Sequence, residues 1–357
     1  MQTLIIGGGL SGLALAEALE ASGDDYMLVE ARDRTGGRII TEFHESGYFD
    51  LGPAWFWPGQ PRIAELVARL GLEKFDQYSQ GALTFEDAQG QVQHGRGFAS
   101  MEGSWRLVGG LQALTKALAD RLPVSRLRLN AQVTSLSQTE KAITVTLSDG
   151  VKVTASQVVL AMPPRIAAKM SFSPSLPANA VQSMRDVRTW MAGQAKALAV
   201  YDRPFWREAG LSGDATSRFG PMVEIHDASP ASGGPYGLFG FIGLPPHGRV
   251  DQQALRHDLI AQIVRLFGTE GAQPTKLYLK DWAYDPNTST QADLEPLYSH
   301  PDYEMPASFE GLWDNKLLFA GTEVAAEFGG YLEGALGAAA NVLTTLRNQR
   351  PGRDHAW

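Results

Sequence analysis

Near its start the chain reads Thr3-Leu4-Ile5-Ile6-Gly7-Gly8-Gly9-Leu10-Ser11-Gly12, and it arrives at Leu28-Val29-Glu30 eighteen residues after the last of these glycines. A short apolar run, a glycine turn, an apolar helix and a second run ending in an acid form a β-α-β unit, the building block of a parallel sheet. Each glycine has its own task. Gly7 makes the tight turn, Gly9 lets backbone approach a pyrophosphate, and Gly12 lets helix lie close on strand. The helix start offers free N–H groups and a positive dipole end to phosphates. Glu30 is placed to accept hydrogen bonds from a ribose 2′-hydroxyl. The motif reads as a dinucleotide site without saying which dinucleotide, or what chemistry follows.

The remaining composition narrows the class. At 357 residues, 44% of them hydrophobic, the chain can hold one large core or two ordinary ones. A net charge of −8 with no long basic run argues against nucleic acid. The absence of cysteine excludes disulfides, thiolate metal sites, a cysteine nucleophile and a cysteinyl cofactor link. The seven histidines show no metal-ligand spacing. No run approaches the roughly twenty apolar residues that span a bilayer, and Gly334 to Val342 reads as a buried helix. With a strand beginning at residue 3, the expectation is a cytoplasmic protein without a leader or a membrane contact.

Apolar spacing predicts helices over 13–21, 61–71, 110–121, 252–267 and 331–346. Alternation predicts strands over 127–136, 143–147, 151–153, 158–161, 196–201, 236–244, 276–282 and 317–321. A hairpin is expected around Asp87 to Gln93, and residues 203–248 are rich in Gly, Pro and aromatics. The expected fold class is α/β with two domains. A Rossmann-like dinucleotide domain takes residues 1–77, 104–174 and 300–349. A sheet-rich substrate domain, 78–103 and 175–299, is inserted into it, and 350–357 forms a frayed tail.

Four further blocks carry specific chemistry. The first is Glu30-Ala31-Arg32-Asp33-Arg34-Thr35-Gly36-Gly37-Arg38, bare backbone and cations beside the diphosphate. The second is Asp50-Leu51-Gly52-Pro53-Ala54-Trp55-Phe56-Trp57, in which alternation puts Trp55 and Trp57 on one face. The third is Asp281-Trp282. The fourth is Phe319-Ala320-Gly321-Thr322-Glu323 followed by Gly329-Gly330-Tyr331-Leu332-Glu333-Gly334-Ala335. Together with Lys196 and the later Pro204-Phe205-Trp206-Arg207, they resemble the flavin-dependent amine oxidase family, the monoamine and polyamine oxidases, across nearly the whole chain.

The resemblance implies FAD, with Gly7, Gly9, Gly12 and Glu30 at its adenosine end. Arg32, Gly37 and Arg38 would lie along the ribityl-diphosphate, and Val133 would hold the adenine edge. Gly52, Ala54, Trp55, Gly321, Thr322 and Glu323 would complete the cofactor site. Leu332 would start a helix whose N–H groups face the flavin N1–C2=O edge, where reduction places negative charge. The resemblance also implies that a hydride equivalent leaves the carbon beside nitrogen for flavin N5, and that dioxygen restores the flavin and yields hydrogen peroxide. Lys196 would hold a water near N5, Trp282 would lie beside the flavin ring, and Tyr331 would form one wall of an aromatic cage suited to an amine. No metal is implied.

The chain departs from the family pattern in three places. The stretch Asn287-Thr288-Ser289-Thr290-Gln291-Ala292 has no cysteine, so FAD is expected to be non-covalent. The second cage aromatic falls near Ala292, with Tyr284 as the adjacent candidate, while Asp285, Asp293 and Glu295 are acids that could attract an amine. Only 48 residues separate Gln60 from Gly109, which leaves little for a helical roof. An open active site is therefore expected, one that a second copy or a protein partner would cover. After Leu51-Gly52 no arginine clamp for a carboxylate follows, which turns the expectation from amino acids to amines. Two alternatives keep the fold: oxidation or desaturation of a bulky non-amine, and a flavin-binding redox or partner protein of low turnover.

Overall fold

The structure is a computed structural model that describes residues 1–295, 297 and 299–349; the expected tail at 350–357 falls on positions from 350 onward, outside the described residues. The opening apolar run becomes a wholly buried strand, Thr3–Ile6. It pairs in parallel with Tyr26–Val29 on one side and Gln157–Leu160 on the other. Leu317–Phe319 and Leu127–Arg128 close the two edges of this five-stranded parallel sheet. Both faces are covered, which explains runs of continuous Val, Ile and Leu rather than alternation. The helix Leu10–Ala21 lies on one face and packs against the last long helix, Leu332–Asn348. The first helix lies close on the glycine turn because of Gly12, where a Cβ would overlap the Gly7 carbonyl oxygen.

A second, seven-stranded sheet is built from Lys276–Asp281, Ala195–Tyr201, Tyr236–Ile242, Met222–Asp227, Leu211–Ser217, Ala82–Glu86 and Val92–His94, in that order. Ala195–Tyr201 is buried at every residue because antiparallel neighbours flank it on both sides. Leu255, Leu259, Ile263 and Leu266 of the helix Gln252–Phe267 cover one face. That helix is capped by Asp251, whose carboxylate accepts from Gln253 N and Ala254 N at 3.0 and 2.9 Å. The opposite face packs Leu198, Val200 and Phe239 against Trp55 and Ala54. The first sheet takes its strands from the segments expected to bind the dinucleotide, and the second takes its strands from the inserted segments. That segregation supports the two-domain division, which we propose at the boundaries set out above.

The helices expected over 13–21, 61–71, 110–121, 252–267 and 331–346 are present as Leu10–Ala21, Pro61–Arg69, Gln112–Ala119, Gln252–Phe267 and Leu332–Asn348. The hairpin near residues 87–93 is present as Ala82–Glu86 with Val92–His94. The strand expected over 127–136 is instead two. Leu127–Arg128 ends the parallel sheet, and Val133–Gln138 opens a separate four-stranded sheet with Ile143–Leu147, Lys152–Ala155 and Ser171–Ser173. Asn130 breaks the run with a φ of 53°, a left-handed turn that asparagine tolerates. Met222–Asp227 and Leu211–Ser217 put Met222, Ile225, Leu211 and Ala215 into the core under the helix Gln252–Phe267, but polar residues stand between these positions and a register shift in each strand interrupts the two-residue period. They were not legible as strands.

Candidate cofactor and substrate site

A cavity of about 590 Å³ runs from the glycine turn to the face of the seven-stranded sheet. At one end Gly7, Gly9, Leu10 and Ser11 line it. A Cβ at Gly7 would collide with the Ala161 carbonyl oxygen, whereas a Cβ at Gly9 would meet open space. The helix begins at Gly9 with no side-chain cap and no acid in its first turn. Its first N–H groups therefore face the cavity without a protein partner of their own side chain, as a diphosphate needs. The buried Glu30 carboxylate stands beside them, with Oε2 accepting from Gly8 N at 2.7 Å and Oε1 from Arg32 N at 2.9 Å. A carboxylate has further lone pairs, so it can still accept from a ribose. Gly36, Gly37 and Val133 continue the wall. The cradle, the uncapped helix and the acid fit the adenosine and diphosphate of FAD.

Arg32 and Arg38 line the same end, each held by an acid. Arg32 Nη2 bonds Asp285 Oδ1 at 2.6 Å and Thr288 Oγ1 at 3.0 Å. Arg38 Nη1 lies 2.6 Å from Glu323 Oε1. The last helix starts at Leu332, again without a side-chain cap. Its first-turn acid, Glu333, turns away and accepts from Ile63 N at 2.9 Å and Arg62 N at 3.1 Å. The helix end is thereby left bare toward the cavity. Thr322 Oγ1 fixes the approach to it by donating to Tyr331 O at 2.9 Å.

At the other end Lys196, Trp282, Tyr331, Trp55 and Trp57 meet. Lys196 is 5% exposed, and its ammonium donates to the Gly52 carbonyl. Burial drives its pKa down to about 7, while the charge of Asp50 pulls the other way. Burial raises Asp50 to about 6, opposed by the Thr41 hydroxyl, Arg106 and the Leu111 N–H. Trp282 Nε1 donates to Leu51 O at 3.0 Å, which fixes the indole against the cavity wall. Tyr331 meets Trp57 edge-on at 6.3 Å and stacks on His300 at 5.0 Å. Trp55 Nε1 donates to Gln77 Oε1 at 2.8 Å, while Phe56 points into the core. Trp55 and Trp57 thus share the cavity face, as alternation predicts.

The structure gathers the expected residues around one space, with two exceptions. Gly12 lies behind the wall, packed on Gly7, and Glu323 is fully buried beneath Arg38. The acids Asp285 and Asp293 are consumed by structure: Asp285 by Arg32 and Lys280, and Asp293 by Arg165 at 2.6 Å and the Thr290 turn. Tyr284 does not complete the cage, since it is 53% exposed and donates to Pro246 O at 3.1 Å. Met101, Trp190, Glu224 and Phe241 line the cavity without having been singled out. Phe241 lay within an expected strand and faces the cavity because it shares a register row with Lys196, a signal visible only once the strands are paired.

The sequence profile of the family described as flavin containing amine oxidoreductase matches residues 10–98 and 91–343. A probable flavin-containing monoamine oxidase A of Dictyostelium discoideum is 22% identical, with 97% of each chain covered. The alignment runs over 456 positions against 357 residues here, so that relative carries segments this chain lacks. Putrescine oxidase of Kocuria rosea is 23% identical, with 95% of this chain and 94% of its own covered. Among solved structures, a putrescine oxidase variant superposes with a TM-score of 0.82 at 20% identity, over 98% of this chain and 99% of that one. Cyclohexylamine oxidase from Brevibacterium oxydans gives 0.80 at 20% identity, over 98% and 99% of the two chains. The glycine cradle, the bare helix ends and the buried lysine thus stand on a shared fold, and the chain belongs to the flavin-containing amine oxidoreductase family.

Proposed function

We propose that this chain is an FAD-dependent amine oxidase that binds its flavin non-covalently, turns a primary or secondary amine into an imine, and uses dioxygen as electron acceptor. When bound, FAD accepts a hydride equivalent from the carbon beside nitrogen and passes the electrons to dioxygen, giving hydrogen peroxide. One observation carries the reading: a fully buried lysine with a pKa near 7 faces the same cavity as the glycine cradle. At neutral pH Lys196 Nζ can both hold and release a proton, the property wanted of a group that orders a water beside the reacting atoms. We assign Trp282 to the cavity wall beside the flavin and Tyr331, with Trp57 edge-on, to the wall that orients the amine. The two uncapped helix ends and Glu30 hold the cofactor's diphosphate, ring edge and ribose. Aromatic walls exclude water and restrict the poses of the reacting carbon.

The test is anaerobic mixing of the FAD-loaded protein with a panel of amines. Bleaching of the oxidised flavin band, followed by peroxide on admitting air, is the expected result. A panel that never bleaches the flavin sinks the proposal. The same reading keeps a cytoplasmic location, and a second copy or a protein partner over an open active site. Cell fractionation and the mass in solution test those two points. Among the described residues no helix is long and apolar enough to cross a membrane.

A further inference from the structure

Two cavity side chains hang from consecutive carbonyls of one short segment. Trp282 Nε1 donates to Leu51 O at 3.0 Å, and the Lys196 ammonium donates to Gly52 O. The segment from Asp50 to Gly52 is itself held from behind. Leu51 N donates to Ile40 O at 3.0 Å, and a Cβ at Gly52 would overlap the Arg38 carbonyl oxygen. Asp50 ends the strand Gly47–Asp50 with a buried carboxylate at the start of the helix Gln112–Ala119. Its Oδ1 accepts from Leu111 N at 2.9 Å and from Thr41 Oγ1 at 2.6 Å. Thr41 is tied to the same helix start: its hydroxyl accepts from Gln112 N and its N–H donates to Gln112 Oε1, both at 3.1 Å. Gly110 permits this close approach, since a Cβ there would lie 2.4 Å from Thr41 Cγ2.

The same carboxylate bears on Lys196 through its charge. The ammonium lies between the Gly52 carbonyl and the rings of Phe241 and Phe239, 4.8 and 5.1 Å from their centres. Such surroundings solvate a cation poorly, and burial favours the neutral amine. The neighbouring charges on the sheet are already matched. Lys280, paired with Lys196 across one strand boundary, is held by Asp285 at 2.9 Å. Glu224, beyond Phe241 on the other side, is held by His226 at 3.0 Å. On the acid's side the cations are Arg106 and Lys196. The Arg106 Nη groups are spent on Ser229 O and Ala228 O, at 2.8 and 2.9 Å. A buried acid and a buried base within reach of one another each support the other's charged form, and removing one drives the other toward neutrality.

We propose that Asp50 is a positioning residue for the oxidation and acts through Lys196 in two ways: its carboxylate anchors the segment from which Lys196 and Trp282 hang, and its charge is the counter-ion that keeps the proton on the lysine. The inference rests on the amine oxidase reading and deepens it, by naming the group that sets the charge state of Lys196. Asp50 does not line the cavity. It reaches the reacting atoms only through the lysine and the two carbonyls. Asparagine in its place keeps an oxygen that accepts from Leu111 N and Thr41 Oγ1, so it removes the charge and spares the anchor. The two contributions are separable on that account.

The experiment uses FAD-loaded wild type, Asp50→Asn, Lys196→Met and the double variant, with carbon-13 at lysine Cε and aspartate Cγ for nuclear magnetic resonance. The Lys196 signal is the one missing from Lys196→Met. Its titration midpoint should fall in Asp50→Asn by about one pH unit or more, tenfold in proton affinity, the lower end of what an adjacent opposite charge supplies. The pH profiles of amine-driven flavin bleaching and of reoxidation by dioxygen give a second readout. The limb that Lys196→Met abolishes should move to lower pH in Asp50→Asn by the same amount as the signal. The double variant should show the profile shape of Lys196→Met. Flavin absorbance and circular dichroism verify that each variant is folded and loaded. Should Asp50→Asn not fold, reciprocity decides: the aspartate signal that titrates near pH 6 in the wild type should move to higher pH in Lys196→Met. A Lys196 midpoint that Asp50→Asn leaves in place, or an aspartate signal that Lys196→Met leaves in place, overturns the inference. So does a profile from which Lys196→Met removes no limb, or a rate lowered at every pH with the limb unmoved. In each of these cases bleaching by amines keeps the oxidase reading standing. Failure of every amine to bleach the flavin instead removes the oxidase reading, and this inference with it.

Discussion

Replacing Lys196 by methionine should change how stability depends on pH. The group is fully buried, and its pKa falls from 10.5 to about 7 on folding. Between those two pH values the unfolded chain holds a proton that the folded chain has lost. Stability therefore rises with pH across that window, by about 1.4 kcal/mol per pH unit. From pH 7 to 10.5 the lysine alone contributes roughly 5 kcal/mol of change, and below pH 7 its contribution is flat, at its least favourable. Methionine has a similar length and no charge, so it removes this dependence while filling most of the same space. It also forfeits the bond to the Gly52 carbonyl, about 1 kcal/mol. Urea unfolding of both proteins at several pH values, with FAD in excess, gives the comparison. The difference, wild type minus variant, should climb between pH 7 and 10 by several kcal/mol. Parallel curves would show that the lysine is not desolvated, and the argument for its lowered pKa would fall.

Three further outcomes follow from the site. Glu30→Gln leaves one of the two backbone donors, Gly8 N or Arg32 N, without an acceptor, so FAD affinity measured by flavin fluorescence should drop about tenfold or more. Tyr331→Leu removes an aromatic wall but no cofactor hydrogen-bonding side chain; kcat/KM for amines should fall about three- to tenfold with flavin content preserved. Trp206→Phe deletes the 2.8 Å bond from Nε1 to the buried Asp227, and unfolding should show a loss of about 1–3 kcal/mol with Arg207 still holding that acid.

The cofactor end was legible because its chemistry lies in local backbone. Gly7, Gly9, Gly12 and Glu30 fall within one β-α-β unit, and each needs only its neighbours in sequence to be placed. Gly321 to Leu332 was legible as a second block at the far end of the chain, brought alongside by the parallel sheet. The substrate end depends on pairing between strands distant in sequence. Glu224 lies in Met222–Asp227, where Glu224 and His226 interrupt any apolar pattern, and its relation to Lys196 exists only through Phe241. Tyr284 was a reasonable cage candidate by spacing alone, but the turn after Trp282 swings it toward Pro246. The acids after it stood as possible amine attractors because sequence does not reveal that Arg32 and Arg165 reach Asp285 and Asp293.

Asp285 joins regions that meet opposite halves of a long ligand. One oxygen takes Arg32, two residues beyond the acid at the glycine turn, and the other takes Lys280 at 2.9 Å, directly across from Lys196. The cations hold its carboxyl below the usual range despite burial, so the link stays charged. A shift of the backbone around the adenosine end is thereby transmitted to the strand that aligns the lysine. Reaction requires the carbon to sit within a fraction of an ångström of its partner. The shared carboxylate makes the two bodies gauge one another, so a fault in seating the nucleotide half is felt as misalignment where bonds change.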